Sequence, residues 1–531
     1  MAIDNAHSIP ASPWTPLRHR IFRMLWIASI FSNIGSWMHE VGAGWMMTSL
    51  APSPLMVALV QAATTAPIFL LALPAGALAD IIDRRRYLIA TQVWMMLVAA
   101  VLGVLTLAGW TTAPVLLVMT FALGIGTAMM MPAWGAITPE LVPRAELHAA
   151  IGLNTIGMNL ARAVGPALAG LIVAATGPGM VFIVNAVSFL STIAALYSWK
   201  RSPKESELPA ERLAGAVRAG LRFARHAPEL RAVLIRGVGF FVFASAPWAL
   251  LPLIVRQELQ SGPGTYGLFL ACLGIGAIGG ALMLPKARNR LSRDGLVAGS
   301  TLLYVLAMLA LAHSGNVYAA GVAMFLMGMA WISVVSSLMT ATQTALPGWV
   351  RARGLALFWV VFTGGMAAGS VLWGQVASWV GIPQALTAAA VGALIGIVAT
   401  RKYKIGLHDV ADLSPSMHWP TPMSGEELLD RGPVMVTVEY QIDPAHVDEF
   451  AQAMCQMRRI RRRDGAFMWE LFNDVEVPGR VMECFMVESW IEHLRQHERV
   501  TIADRDVSEK VRRFHVGTEP PKVAHFVAVN R

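Results

Sequence analysis

Two charged side chains, Glu40 and Arg162, interrupt long apolar stretches of this 531-residue chain. A charge inside a membrane segment is costly, so such residues usually face an interior cavity and take part in function. A carboxylate can carry a proton, and a guanidinium can bind an oxyanion or close a gate. We therefore expect Glu40 to be a proton-responsive site and Arg162 to be a substrate-binding or gating residue. The alternatives are an interfacial, partly wetted Glu40 and an Arg162 that only donates to carbonyls between helices.

Polar amides occur in the same stretches. Asn33, Asn154, Asn159 and Asn185 are candidates to line a cavity around the two charges. Amides inside membranes more often hydrogen-bond one helix to another, and that alternative stays open.

The apolar stretches have the length and composition of membrane spans. Hydrophobic residues make up 55% of the chain and charged residues 14%, whereas about a quarter of an ordinary soluble protein is charged. A large soluble helical core would need polar helix faces, which these stretches lack. The sequence therefore predicts an all-α polytopic membrane protein, because a span needs about 18 or more apolar residues. The twelve expected spans lie near 23–48, 54–79, 87–109, 113–136, 148–175, 179–199, 232–255, 265–286, 295–313, 317–342, 354–380 and 383–401.

Basic residues are confined to alternate loops. Of the Lys and Arg residues in 1–404, all but Arg162 and Arg256 lie in the N-terminal stretch, at every second loop or just after the last span. Positive residues collect on the cytoplasmic side of membrane proteins. The pattern predicts a multi-pass protein of the bacterial inner membrane with both chain ends in the cytoplasm.

One basic loop has the sequence "GALADIIDRRR", in which Gly76, Asp80 and the arginines Arg84–Arg86 follow at short spacing. Gly76 would permit close helix approach, and Asp80 at a helix end could accept hydrogen bonds from a neighbouring helix N-terminus. The arginines would anchor the hairpin at lipid phosphates. The alternative is simply a positively charged cytoplasmic loop.

A second motif, "ARAVGPALAG", lies in the fifth span and contains Gly165, Pro166 and Gly170. Proline removes a backbone donor and can bend a helix, while small residues allow tight helix packing. Gly165 matches Gly369 at an offset of 204 residues, and Gly76 matches Gly280 at the same offset. Two matches at one offset indicate parallel six-span repeats, which place a substrate cavity between the halves.

Residues 20–400 resemble the major facilitator superfamily, most closely its enterobactin-exporter-like branch, the transmembrane secretion effectors. The resemblance implies two six-helix halves that alternate access, with Gly76, Asp80 and Arg84–Arg86 as a cytoplasmic latch. It also implies that Gly165, Pro166 and Gly170 form the fifth-span motif typical of antiporters, which favours export. The arginine usual in the fourth span of the superfamily is missing here, so the usual proton-coupling arrangement is not in place.

The chain beyond Lys404 has a different composition, with more acidic than basic residues. Alternating segments at 434–442, 466–475, 480–488 and 523–529 predict four strands, and helical patterns between them give the order βαββαβ of a ferredoxin-like domain. This part resembles the dimeric α/β-barrel, antibiotic-biosynthesis-monooxygenase-like domains. The resemblance implies a homodimer through residues 431–531.

Two further patterns in this part could bind ligands. His493 and His497, four residues apart on a helix, could hold a metal with a third ligand, but exposed histidines explain the spacing equally well. The basic run 458–465 could contact nucleic acid, but it belongs to an acidic segment beside a membrane. We expect no metal, no cofactor and no nucleic-acid partner.

The expected organisation is an N-terminal six-helix bundle (1–199), a connector (200–231), a C-terminal six-helix bundle (232–404), a linker (405–430) and an α+β domain (431–531). Within the connector, Leu213, Val217, Leu221 and Phe223 have the spacing of an amphipathic helix on the anionic inner leaflet.

The function expected from these features is secondary, proton-coupled export of an amphipathic small molecule, such as a siderophore, a drug or a secondary metabolite. The alternative is a membrane-tethered enzyme or sensor that acts through the C-terminal domain. No set of a nucleophile and a base stands out in that domain, which favours a transporter over an enzyme.

Overall fold

The computed structural model describes residues 12–199, 222–347, 349–405, 414, 416 and 431–529. Within these residues twelve long helices follow one another, each within a few residues of an expected span. They are α1 (Arg20–Leu50), α2 (Pro54–Ile81), α3 (Arg84–Leu107), α4 (Ala113–Leu141), α5 (Leu147–Thr176), α6 (Pro178–Ser198), α7 (Pro228–Leu253), α8 (Pro263–Arg288), α9 (Arg293–His313), α10 (Val317–Thr344), α11 (Arg351–Val380) and α12 (Ile382–Thr400).

Eleven helices of the described chain are long and apolar enough to cross a membrane. The long helix outside that set is α1, because Asn33, His39 and Glu40 lower its mean hydropathy. The long helix outside the set is thus the one that carries the candidate carboxylate.

The chain forms two compact units. The membrane unit comprises Met1–Ala210, Ile235–Leu338 and Phe358–Lys402 and holds both six-helix halves. The tail unit comprises Glu211–Leu234, Met339–Leu357 and Tyr403–Arg531. Since α7, α10 and α11 begin or end inside the tail unit, these helices belong to both units.

Short turns join the helices at two ends of the bundle. We call the end with the arginines of the α2–α3 turn the basic end, and the end with the α1–α2 and α7–α8 turns the opposite end. Local sequence accounts for helix starts at the basic end: Asp83 caps α3 by accepting from the backbone N–H of Arg86 at 3.0 Å, and Ser292 caps α9 by accepting from Gly295 at 3.1 Å.

Equivalent glycines make equivalent contacts in the two halves. A methyl group added at Gly165 in α5 would lie 2.7 Å from Cβ of Trp37 in α1, and one added at Gly369 in α11 would clash with Val242 and Ser245 in α7. The same relation holds between the halves, because Gly170 in α5 meets the start of α8 and Gly374 in α11 meets the start of α2. These pairs confirm the parallel repeats that the 204-residue offset predicts.

The domain after Arg431 is a four-stranded antiparallel sheet of β1 (Val434–Gln441), β2 (Met468–Asn473), β3 (Arg480–Val487) and β4 (Lys522–Val527), with helices α13 (Val447–Asp464), α14 (Trp490–Arg499) and α15 (Ile502–Arg512). The spatial order β2-β3-β1-β4 is the expected ferredoxin-like arrangement.

Alternation along the strands separates two faces of this sheet. Val434, Val436 and Val438 of β1 are buried toward the helices, together with Phe485 of β3 and Phe450 of α13. On the other face Phe472, Met482 and Phe526 are 48%, 40% and 51% exposed. The sheet therefore has one covered and one open apolar face.

A buried ion pair fixes α13 on the covered face. The guanidinium of Arg461 donates to both carboxylate oxygens of Glu483, at 3.0 and 3.3 Å, and the indole N–H of Trp469 donates to the same carboxylate at 2.9 Å. Glu483 is fully buried. A charge at such a position is tolerated because its oxygens are hydrogen-bonded and its partner is charged.

His493 and His497, the candidate metal ligands, lie on α14. The expectation that both are exposed is wrong for His493. His493 is 2% exposed, so exposed histidines do not explain the pair. Its Nε2 lies 3.3 Å from Nε2 of His497, and its ring lies 4.7 Å from that of His525. Burial, followed by repulsion from His497 and His525, lowers the pKa of His493 to about 3. Among the described residues, no group of three or more His, Cys, Asp or Glu side chains could hold a metal ion.

The low pKa of His493 predicts that the domain loses stability in mild acid. Below about pH 6.5 the unfolded chain binds a proton at this position and the folded chain does not, so the free energy of unfolding falls as the pH falls. Between pH 7 and pH 5 the difference amounts to about 2 kcal/mol. Chemical denaturation of residues 431–531 should show it, and His493→Asn should remove it from the pH slope. His446→Gln is the control, because that histidine is more than half exposed. An unchanged slope in His493→Asn would contradict the assignment.

Candidate functional site

Glu40 and Arg162 come together in the membrane unit. Glu40 lies on α1 and Arg162 on α5; both are partly buried, and their charges attract each other. The guanidinium carbon of Arg162 lies 5.5 Å from the ring centre of Trp37 on α1, a cation–π distance. Gly165, one turn further along α5, allows this approach, because a side chain there would strike Trp37. The two charges that the sequence singles out are thus one site.

A small cavity adjoins this site between the two halves. Its volume is about 30 Å³, room for one or two water molecules. Glu40 and Trp37 line it from α1, and Trp248 and Tyr266 line it from the other half. Tyr266 is a further electrostatic neighbour of Glu40. The remaining lining residues are Gly44, Val57, Val60, Gln61, Thr64, Ala249, Pro252 and Leu270.

The four candidate asparagines do not line this cavity. Asn154 on α5 donates to the hydroxyl of Thr138 on α4 at 3.4 Å. Asn185 is fully buried in α6. Asn33 and Asn159 are partly buried. The contact of Asn154 is the helix-to-helix contact that was the alternative, so a place for Asn33, Asn154 or Asn159 at the site stays a prediction.

The fifth-span motif forms a seam between the halves. A methyl group at Gly267 in α8 would clash with the carbonyl oxygen of Pro166, and one at Gly170 would lie 2.8 Å from the carbonyl oxygen of Pro263. At Gly274 it would lie 3.0 Å from the carbonyl oxygen of Arg162. The backbones of α5 and α8 therefore touch along residues 162–170, which is the tight packing expected of the motif.

A matching seam joins α2 and α11. A methyl group at Gly374 would lie 3.1 Å from Cα of Leu55 and 3.2 Å from the carbonyl oxygen of Pro54. The hydroxyl of Ser378, one turn on, accepts from the backbone N–H of Leu55 at 3.3 Å. Because Pro54 and Pro263 each begin a helix at the opposite end, both seams lie toward that end.

Arg256 makes a polar contact across the halves at the opposite end. A π-helical turn, Ile254–Glu258, continues α7 and carries this residue. The guanidinium donates to the hydroxyl of Thr48 at 2.7 Å and to that of Ser49, both at the end of α1, and lies 5.8 Å from the ring centre of Trp45. Thr48 is 2% exposed, so the contact covers a buried residue.

Sequence reasoning assigned no role to Arg256 or to the aromatic residues of the cavity. A signal for Arg256 was present in the sequence: within residues 1–404 it is the basic residue that lies in a loop on the side where the other loops have no Lys or Arg. His39, next to Glu40, was also missed: it is 2% exposed, with its ring 4.7 Å from that of Phe182. The aromatic residues Trp37, Trp248 and Tyr266 had no such signal, because they lie in spans rich in such residues.

The arginines of the basic end bind helix ends of their own half. Arg84 at the start of α3 pairs with Glu140 at the end of α4, at 2.8 Å. Arg85 donates to the carbonyl oxygens of Leu196 and Tyr197 at the end of α6, at 2.9 and 2.7 Å, where a helix C-terminus favours a cation. The hairpin thus ties three helices of the N-terminal half together.

Two other members of this motif behave differently. Around Gly76 an added methyl group would meet nothing within 4 Å, so the close approach expected there is not made in this conformation. The side chain of Asp80 lies outside the described residues. The latch role of Gly76, Asp80 and Arg84–Arg86 stays a prediction.

Comparison with known proteins agrees with this architecture. The sequence profile of the transmembrane secretion effector family matches residues 11–531. The chain is 25% identical over 285 residues to the staphyloferrin A transporter of Staphylococcus aureus (strain NCTC 8325 / PS 47). The aligned region covers 53% of this chain and 71% of that protein. It is 25% identical over 387 residues to the enterobactin exporter EntS of Escherichia coli O1:K1 / APEC, over 71% of this chain and 90% of that protein.

Solved structures show the same fold. A bacterial homolog of the human lysosomal transporter Spinster, in an inward-facing and occupied conformation, superposes with a TM-score of 0.59 at 14% identity, over 73% of this chain and 97% of that chain. The fold has two parallel six-helix halves, and the family profile matches nearly the whole sequence. Together these findings identify the family. The chain belongs to the transmembrane secretion effector family and is a multi-pass membrane transporter of the major facilitator type.

Proposed function

We propose that this transporter is a secondary exporter that moves an amphipathic small molecule outward in exchange for protons. The observation that carries the proposal is the Glu40–Arg162 pair beside a cavity between two halves that touch along glycine seams. The names of two relatives, an enterobactin exporter and a staphyloferrin A transporter, support a siderophore-like cargo over other small molecules. The fifth-span motif with Gly165, Pro166 and Gly170 supports export.

The proposed coupling uses the charge of Glu40. An ionised Glu40 holds the guanidinium of Arg162, since attraction between charges is strong away from bulk water. Proton uptake at Glu40 removes this attraction and releases Arg162. Within the described residues Nε of Arg162 is buried without a hydrogen-bond partner, so the side chain has a donor to offer to an oxygen of the cargo.

The proposed orientation follows the charges of the loops. The basic end faces the cytoplasm and the opposite end faces outward, so both chain ends are cytoplasmic. In this orientation the glycine seams and Arg256 close the outer side of the transporter. The conformation is then one in which the cargo has no exit to the outside.

The open apolar face of the C-terminal sheet supports the proposal that this domain pairs with a second copy. Phe472, Met482 and Phe526 would be removed from water by pairing. Glu439 and Lys522 lie opposite each other on the same face, so the face carries both signs of charge.

The first prediction concerns coupling. Glu40→Gln removes the titrating group and keeps the shape of the side chain. In proteoliposomes that contain enterobactin as the probe, an imposed pH gradient should accelerate efflux through the wild-type protein by about tenfold, and Glu40→Gln should efflux at one rate at all pH values. Glu258→Gln, which changes an exposed carboxylate on the π-helical turn, is the control and should keep the pH dependence. An unchanged pH profile in Glu40→Gln would place coupling elsewhere, whereas absence of any enterobactin flux in the wild type would reject the cargo.

The second prediction concerns Arg256. Arg256→Gln loses a charge-assisted donor, worth about 1.5–3 kcal/mol at most, so the outer side should open more often. In a chain with Cys272, Cys455 and Cys484 changed to Ser, Val57→Cys places a thiol in the closed cavity. A membrane-impermeant maleimide added outside should label it about threefold faster or more when Arg256→Gln is present.

Glu258→Gln again serves as the matched control for the labelling experiment, and it should leave the rate unchanged. Equal labelling rates in Arg256→Gln and the wild-type background would show that this arginine does not hold the outer side closed.

The third prediction concerns pairing of the domain. Residues 431–531 should sediment with twice the mass of one copy, and Phe526→Glu should convert them to monomers because it places a charge on the open face. Arg505→Glu is the control and should stay dimeric, because Arg505 is exposed on α15, one of the helices on the opposite side of the sheet. A monomer in the unmodified domain would contradict the pairing.

A further inference from the structure

The tail unit contains more than the C-terminal domain. It also includes residues 222–234, which lead into α7, and residues 339–357, which form the end of α10, the α10–α11 turn and the start of α11. The first segment ends almost 200 residues before the domain begins at Arg431, and the second ends more than 70 residues before it. Their inclusion raises the question of what binds them to it.

An apolar cluster joins the two segments to each other. Phe223, Leu230, Leu346 and Val350 are at most 2% exposed and pack together. The ring of Trp349 meets that of Phe223 edge-on at 5.7 Å. Phe223 is therefore covered by protein, although its spacing in the sequence suggests a lipid-facing position. The other expected residues of that helix, Leu213, Val217 and Leu221, lie outside the described residues.

The C-terminal domain covers this cluster with α14. The guanidinium carbon of Arg499 lies 4.5 Å from the ring centre of Trp349, and Arg499 is 5% exposed. Arg463 at the end of α13 lies 5.8 Å from the ring centre of Phe223. Two arginines of the domain thus stack on the two aromatic rings of the cluster, and burial of this kind strengthens cation–π attraction.

An ion-pair network borders the stacked rings. Glu492 of α14 pairs with Arg222 at 3.3 Å and with Arg499 of its own helix. The side chains of Glu492 and Arg222 are 13% and 19% exposed, so water screens their attraction less than it does at an open surface. Arg353, at the start of α11, interacts electrostatically with both Glu492 and Arg499. Aromatic and ionic contacts therefore converge on one face of α14.

We propose that this face of α14 is a docking surface whose partner is the chain's own α7 start and α10–α11 turn, and that docking holds the transporter in the conformation with the outer side closed. The inference rests on the proposed function, because it takes the exchange of conformations to displace the α10–α11 turn relative to the start of α7 within the C-terminal half. Both segments belong to the tail unit. Such a displacement breaks the contacts of Phe223, Trp349 and Arg222. The domain acts as a brake on outward opening.

The test uses variants outside the C-terminal domain, so that its own core is untouched. Trp349→Ala removes the ring beneath Arg499, and Arg222→Ala removes the ion-pair partner of Glu492 that lies outside the domain. Arg225→Ala is the matched control, because Arg225 is exposed on the same helical turn as Arg222. Each variant is made in the full chain that carries Val57→Cys with Cys272, Cys455 and Cys484 changed to Ser.

Two measurements are made on each variant, and neither needs a substrate. Hydrogen exchange of the α14 amides should speed up about tenfold in Trp349→Ala and about threefold in Arg222→Ala, because each undocks the helix. Labelling of Val57→Cys by an external impermeant maleimide should rise about threefold in both. Arg225→Ala should change neither.

Unchanged exchange in Trp349→Ala and Arg222→Ala would overturn the docking surface. Faster exchange with unchanged labelling would overturn the brake. Since labelling reports conformation rather than flux, failure of the brake is distinct from failure of the proposed export, which the enterobactin assay measures.

Discussion

The backbone contact between the two halves is the constraint on which the rest of the membrane unit depends. Helices in lipid gain little from burying apolar surface, so they associate by close packing, and small residues allow the closest packing. In α5 and α8 the glycines leave the backbones in direct contact from Arg162 to Gly170. The α2–α11 seam repeats this contact with the halves exchanged. Both seams lie toward the opposite end of the bundle.

The charged site inherits its position from the seam. Arg162 and Pro166 lie four residues apart on α5, so their side chains share one helix face. The carbonyl oxygen of Arg162 is itself part of the contact with Gly274. A shift of α8 along α5 would therefore displace the residue whose charge lies nearest to Glu40 in this site. In the proposed coupling, α5 alone connects the seam to the carboxylate.

The sequence was sufficient for the features that repeat or that cost energy. Hydropathy predicted the twelve helices within a few residues, the 204-residue offset predicted the repeats, and alternation predicted the four strands. Glu40 and Arg162 were found because unpaired charge in lipid is expensive. Hydrophobic periodicity and the free-energy cost of a charge in lipid depend on the residues of one segment, so they can be recognised without knowing which segments meet.

Contacts between distant segments had no such signal. Arg499 on Trp349 and Arg222 on Glu492 join residues that are 150 and 270 positions apart, and each residue alone is an ordinary member of a charged or aromatic stretch. The partner of Asn154 had no signal for the same reason, because an amide in a span can face a cavity or, more often, a neighbouring helix. Arg256 was the intermediate case: the loop pattern marked it as unusual, but its partners at the end of α1 depend on how the halves meet.

A contact that restrains a transporter must be weak enough to break in every transport cycle. This condition applies to the Arg256 contact at the opposite end and to the Glu492–Arg222 contact in the tail unit. A contact that favours one of two equally populated conformations by about 5.5 kcal/mol shifts their ratio to about 10,000:1, which would leave the other conformation almost unused. A contact worth about 1–3 kcal/mol shifts the ratio of the two conformations roughly fivefold to 150-fold and still breaks in every cycle. Arg256 is exposed and bonds neutral hydroxyls, and Glu492 with Arg222 keeps some contact with water. Both contacts therefore belong to the range in which a restraint can bias the transporter without locking it. The Arg461–Glu483 pair differs from them, because its carboxylate is fully buried and both partners lie inside the C-terminal domain.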